Sequence, residues 1–64
     1  MVLINGEPVA AEGMRLSEYL AREGIQKERV AVELNEMILP KEQYEERVLK
    51  DGDVLEIVSF VGGG

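Results

Sequence analysis

Apolar and polar positions along this chain alternate with changing period, and each change marks an element. Met1 to Ile4 is apolar, Asn5-Gly6 interrupts it, and Glu7 to Ala11 brings Val9 with two alanines. Asn-Gly between two extended runs predicts a tight hairpin, because both residues accept the positive φ that such a turn requires. Leu16, Tyr19 and Leu20 then fall at i, i+3 and i+4, with Ser17, Glu18, Ala21, Arg22 and Glu23 on the other side. That spacing predicts a short amphipathic helix over Leu16 to Glu23. Gly24 suits the left-handed C′ position, and Ile25 can fold back onto the last turn as in a Schellman motif. The N-terminal signal is weaker: Arg15 is a poor capping residue, and Ser17 as the cap would remove the first turn.

Beyond the helix the period changes to two. Val30, Val32 and Leu34 alternate with Ala31, Glu33 and Asn35, the pattern of a strand buried on one face. Asn35-Glu36 turns the chain, and Met37 to Leu39 is a short return strand ended by Pro40, which cannot donate to a ladder. Lys41 to Arg47 is a polar crossing with room for one helical turn and Tyr44 as its anchor. After Val48 and Leu49, Asp51-Gly52-Asp53 turns the chain into a final strand over Val54 to Val61. One small helix cannot cover both faces of such a sheet, so one face packs and the other meets water. In the final strand Leu55 and Ile57 share one face, with Val54, Glu56, Val58 and Phe60 on the opposite one. An unpaired buried carboxylate is costly, so Glu56 assigns Leu55 and Ile57 to the helix side. Val58 and Phe60 are thereby left on the open face, where exposed apolar residues mark a docking site.

Composition narrows the chemistry. The chain has 64 residues with no internal Pro/Gly/Ser-rich break, which predicts a single domain that buries only about 60% of its unfolded surface. We place that domain at residues 1–61 and a flexible glycine tail at 62–64. Cysteine and histidine are both absent, which removes thiol nucleophiles, the usual general base and the commonest metal ligands. A self-sufficient enzyme is not expected, nor a resident metal. Asp51 and Asp53 could form a carboxylate pair, but Asp-Gly-Asp reads first as a turn. The net charge of -6, from 13 acidic and 7 basic residues, repels phosphate backbones and anionic bilayers, so neither nucleic acid nor membrane is an expected partner. The same charge would steer a basic partner. The apolar run at Met1 is too short for a signal peptide or a span and lacks a basic flank, so the expected compartment is the cytoplasm.

The sequence ends in Gly62-Gly63-Gly64. Glycine has no Cβ, so this tail can lie extended in a channel that other residues could not enter. With Asn5-Gly6-Glu7, Leu34-Asn35, Met37-Ile38-Leu39-Pro40, Val48-Leu49-Lys50-Asp51-Gly52-Asp53 and Glu56-Ile57-Val58, the tail makes the chain resemble the sulfur carrier proteins of thiamine biosynthesis. The resemblance covers most of the sequence. It implies an α+β, ubiquitin-like β-grasp fold, with a mixed sheet of four to five strands and one main helix on one face.

It also implies a role for the Gly64 carboxylate, which is ionised at neutral pH and resists nucleophilic attack until activated. In that family a ubiquitin-activating-type adenylyltransferase uses ATP and magnesium to form an acyl-adenylate. Sulfur from a persulfide donor, supplied by a cysteine desulfurase pathway, then yields a thiocarboxylate that thiazole synthase consumes. Gly62 and Gly63 would position the carboxylate, while Val58 and Phe60 grip the partner and Glu56 orients the contact. The third glycine, Gly62, departs from the family's usual Gly-Gly ending. The small subunit of molybdopterin synthase, a ubiquitin-like modifier and a non-covalent β-grasp interaction module stay open as other readings.

Overall fold

The computed structural model describes residues 1–60. Five strands and one helix follow in the order β1 (Val2–Ile4), β2 (Glu7–Val9), α1 (Leu16–Arg22), β3 (Val30–Leu34), β4 (Met37–Ile38) and β5 (Val54–Ser59). Short 3₁₀ turns cover Lys27–Arg29 and Lys41–Gln43. The strands form one mixed sheet in the order β2-β1-β5-β3-β4, the β-grasp arrangement that the resemblance implies. The last strand of the described chain is therefore the central one, parallel to β1 and antiparallel to β3.

Both hairpins close through two residues with positive φ. Asn5 and Gly6 sit at 51° and 85°, Asn35 and Glu36 at 53° and 72°, as type I′ turns require. Gly6 takes that conformation freely, whereas Glu36 carries a Cβ into a region that disfavours it. Leu39 is outside the short return strand, although its N–H still donates to the Val32 carbonyl at 2.9 Å. Among the described residues β5 ends at Ser59; Phe60 continues the ladder by donating its N–H to the Arg29 carbonyl at 3.0 Å. Val61, the expected last strand residue, lies outside the described residues.

The helix stops at Arg22, one residue short of expectation, with Glu23 as the C-cap. Its ending is the Schellman motif read from Gly24: the Ile25 N–H donates to the Leu20 carbonyl at 2.8 Å and the Gly24 N–H to Ala21 at 3.1 Å. The start explains the poor cap. Arg15 is the N-cap, and the Glu18 carboxylate accepts the Arg15 backbone N–H at 2.9 Å. The free donors of the first turn go to the crossing segment, Leu16 N–H to the Arg47 carbonyl at 2.9 Å and Ser17 N–H to Tyr44 at 3.0 Å. Tertiary carbonyls do here what a Ser or Asp side chain does elsewhere.

Leu16 and Leu20 of the helix, Val2, Val32 and Leu55 of the sheet, and Tyr44 and Leu49 of the crossing form the buried centre. Tyr44, 1% exposed, is the anchor its isolated position predicted. Among the described residues one charged side chain lies inside: Asp53, 6% exposed. Its carboxylate accepts Asn35 Nδ2 at 3.1 Å and the Lys50 N–H at 2.9 Å, with the Arg47 guanidinium 3.8 Å away. Burial pushes the Asp53 carboxyl up, but these hydrogen bonds and the nearby cations outweigh it and hold the carboxyl below its ordinary value.

Candidate functional site

The site is organised by β5, whose alternation decides what faces the helix and what faces out. Leu55 is fully buried and Ile57 half-buried against the core, while Glu56 and Val58 point away from it. Val58 is 57% exposed and Phe60 52%. These three residues, read from the sequence as the partner contact, are thus exposed along one strand and its continuation. Gly62, Gly63 and Gly64 lie outside the described residues.

Two asparagines hold this strand at places where its neighbours leave it. Asn5 Oδ1 accepts the Ile57 N–H at 2.7 Å, just past the end of the β1 pairing. Asn35 Oδ1 accepts the Val54 N–H at 2.9 Å while its Nδ2 serves Asp53. Both side chains are delivered by residues in the left-handed conformation, which asparagine tolerates better than most residues. The turns that make the hairpins therefore also align the strand that leads toward the tail.

Sequence reasoning missed Lys41. Its Nζ donates to the Val30 carbonyl at 2.7 Å and stands 5.6 Å from the Phe60 ring centre and 5.9 Å from that of Tyr44. These are cation–π distances, so Phe60 is exposed but not unattached. Nothing local in Pro40-Lys41-Glu42 signals a partner so far along the chain. The exposed face is also wider than β5 alone: Leu3 pairs with Val54 and Ile38 with Glu33, a register that period-two reading of single strands cannot supply.

The two aspartates of the Asp51-Gly52-Asp53 turn are engaged structurally. Asp51 pairs with the Met1 ammonium and Asp53 is committed to Asn35, Lys50 and Arg47, so the two do not act as a pair. Among the described residues no group of three or more His, Cys, Asp or Glu is placed to hold a metal ion. No described helix is long and apolar enough to cross a membrane.

The family model described as ThiS family matches residues 2–64. The chain belongs to the ThiS family. The match includes the glycine tail. The sulfur carrier protein ThiS of Thermus thermophilus is 44% identical over 64 residues, covering 100% of both chains. A crystal structure of the thiamine biosynthesis protein ThiS from Geobacter metallireducens superposes with a TM-score of 0.79 at 37% identity, covering 98% of this chain and 97% of that one. A thiazole synthase from Paramagnetospirillum magneticum is 42% identical over 64 residues, which are 98% of this chain but 20% of that protein. That synthase thus contains, within one polypeptide, a segment similar to nearly all of this ThiS-family chain.

Proposed function

We propose that the chain is the sulfur carrier of thiazole formation in thiamine biosynthesis, a protein co-substrate in the cytoplasm rather than an enzyme. The full-length similarity to the Thermus thermophilus sulfur carrier is the observation that carries this reading. The chemistry rests on the terminal carboxylate of Gly64, because the chain has no cysteine on which to carry a persulfide. A ubiquitin-activating-type adenylyltransferase binds ATP and magnesium; the Gly64 carboxylate attacks the α-phosphorus and pyrophosphate leaves. A persulfide from a cysteine desulfurase pathway attacks the acyl carbon of the adenylate and AMP leaves. Cleavage of the resulting acyl disulfide by a thiol leaves sulfur on the chain as the Gly64 thiocarboxylate. Thiazole synthase then takes that sulfur.

The residues divide the work. Gly62 and Gly63 present bare backbone that fits a narrow channel. Val58 and Phe60 supply the apolar grip upstream and Glu56 the charge that orients it. Ordering a glycine tail in a channel offsets part of the binding free energy, which suits a carrier that must dissociate. The similarity to one segment of a thiazole synthase supports that enzyme as the acceptor. Incubating the chain with the adenylyltransferase of its own organism, ATP, magnesium and a persulfide donor should exchange one oxygen for sulfur in the intact mass. An unchanged mass would refute the reading.

A further inference from the structure

The open face of the sheet holds an arrangement from which the free chain gains nothing. Glu33 of β3 and Glu56 of β5 are direct cross-strand partners, and Cα atoms in such a pair stand roughly 4.5–5.5 Å apart. Like charges set opposite each other destabilise a sheet. Both carboxylates are exposed, and neither has an ion-pair partner among the described residues. Their surroundings are apolar. Val54 and Val58 stand on either side of Glu56 on its strand, Ile38 is the other cross-strand partner of Glu33, and Leu3 is paired with Val54. Ile38 is 74% exposed, and Leu3 and Val54 are each 40% exposed.

We propose that thiazole synthase docks on this face by inserting one arginine side chain between Glu33 and Glu56, inside an apolar ring of Leu3, Ile38, Val54 and Val58. This rests on the sulfur-carrier reading and names how that carrier is recognised. Charge complementarity selects the inserted group. Two carboxylates on adjacent strands offer acceptors on both sides of one cation, and a guanidinium has five N–H donors in a planar fork that can serve both. An ammonium concentrates its charge at one point and is more strongly hydrated. The apolar ring excludes water as the contact closes, which strengthens the charge interaction. Docking also removes the repulsion present in the free chain, so the affinity includes relief of that repulsion. The synthase is the occupant because a relative of that name includes a segment like this chain in its own polypeptide. The face is continuous with β5, so an enzyme seated on it is placed next to the strand that leads into the tail.

The test compares the full chain with Glu33→Gln/Glu56→Gln, titrating the thiazole synthase of the same organism at low and high salt. The double variant should unfold at a higher temperature than the parent, bind the synthase about tenfold more weakly or worse, and lose most of the salt dependence. Glu45→Gln/Glu46→Gln removes equal charge from the crossing segment and should leave the affinity unchanged. The proposal is overturned by unchanged affinity and salt dependence in the Glu33/Glu56 variant, by equal weakening in the control, by no rise in its unfolding temperature, or by no binding of the parent chain. The intact-mass assay is independent of this contact. A chain that acquires sulfur but binds the synthase equally well without the two carboxylates refutes the docking geometry alone, whereas a chain that acquires no sulfur refutes the carrier reading.

Discussion

Asp53 shows how a residue can be legible as a turn and still hide its main task. Asp-Gly-Asp announces a reversal, and Gly52 takes φ 90° there; the Lys50 N–H that Asp53 accepts is local to that turn, but its burial and its bond to Asn35, 18 residues away, are set only by the packed fold. Replacing Asp53 by Ala leaves those donors unmatched inside the fold and should destabilise the chain by about 2–3 kcal/mol. The carboxyl's folded value lies below its unfolded value, so its contribution is complete above the unfolded value of about 3.9 and is lost as pH falls through the lower folded one. Urea unfolding from pH 6 down to pH 2 should show that loss in the parent chain and a flatter profile in Asp53→Asn. An equally steep profile would contradict the assignment. Glu36 is the converse case, a residue whose identity opposes its conformation. With φ at 72°, Glu36→Gly should raise the unfolding free energy by about 0.5–1 kcal/mol, and a loss of stability would show that the side chain does more than occupy the turn.

At the scale of elements, what sequence pattern conveys is the period and the end of each segment. The Asn5-Gly6 turn, the Gly24 helix end, the inward Leu55 and outward Glu56 and Val58 all follow from local spacing, and all are present. What pattern does not convey is who satisfies whom across the fold. The helix start is closed by carbonyls of Tyr44 and Arg47, and Phe60 lies beside the Lys41 ammonium, pairings set only once the crossing has packed. The role of Asn5 beyond its turn is of the same kind. Removing its side-chain acceptor with Asn5→Ala should cost about 1 kcal/mol or more, since the substitution also places Ala at positive φ. Amide exchange should quicken first at Ile57; unchanged protection there would refute the clamp. Val58→Ala and Phe60→Ala, both on exposed positions, should weaken binding to the adenylyltransferase with little change in unfolding temperature. Unchanged affinity in both would remove this strand from the contact.

For the molecule as a whole, topology joins stability to purpose. The last described strand is the central one, held by β1, β3 and two asparagines, so the chain leading to the tail is rooted in the most constrained part of the sheet. Strand order of this kind depends on long-range pairing, and the sequence indicated it only through family resemblance. The absence of cysteine and histidine, by contrast, is legible in the composition alone and excludes thiol and imidazole chemistry. The most direct test is the intact mass of the chain after incubation with its adenylyltransferase, ATP, magnesium and a persulfide donor. The account predicts replacement of one oxygen by sulfur, dependent on ATP and abolished by deletion of Gly64; no exchange, or exchange that survives that deletion, would contradict it.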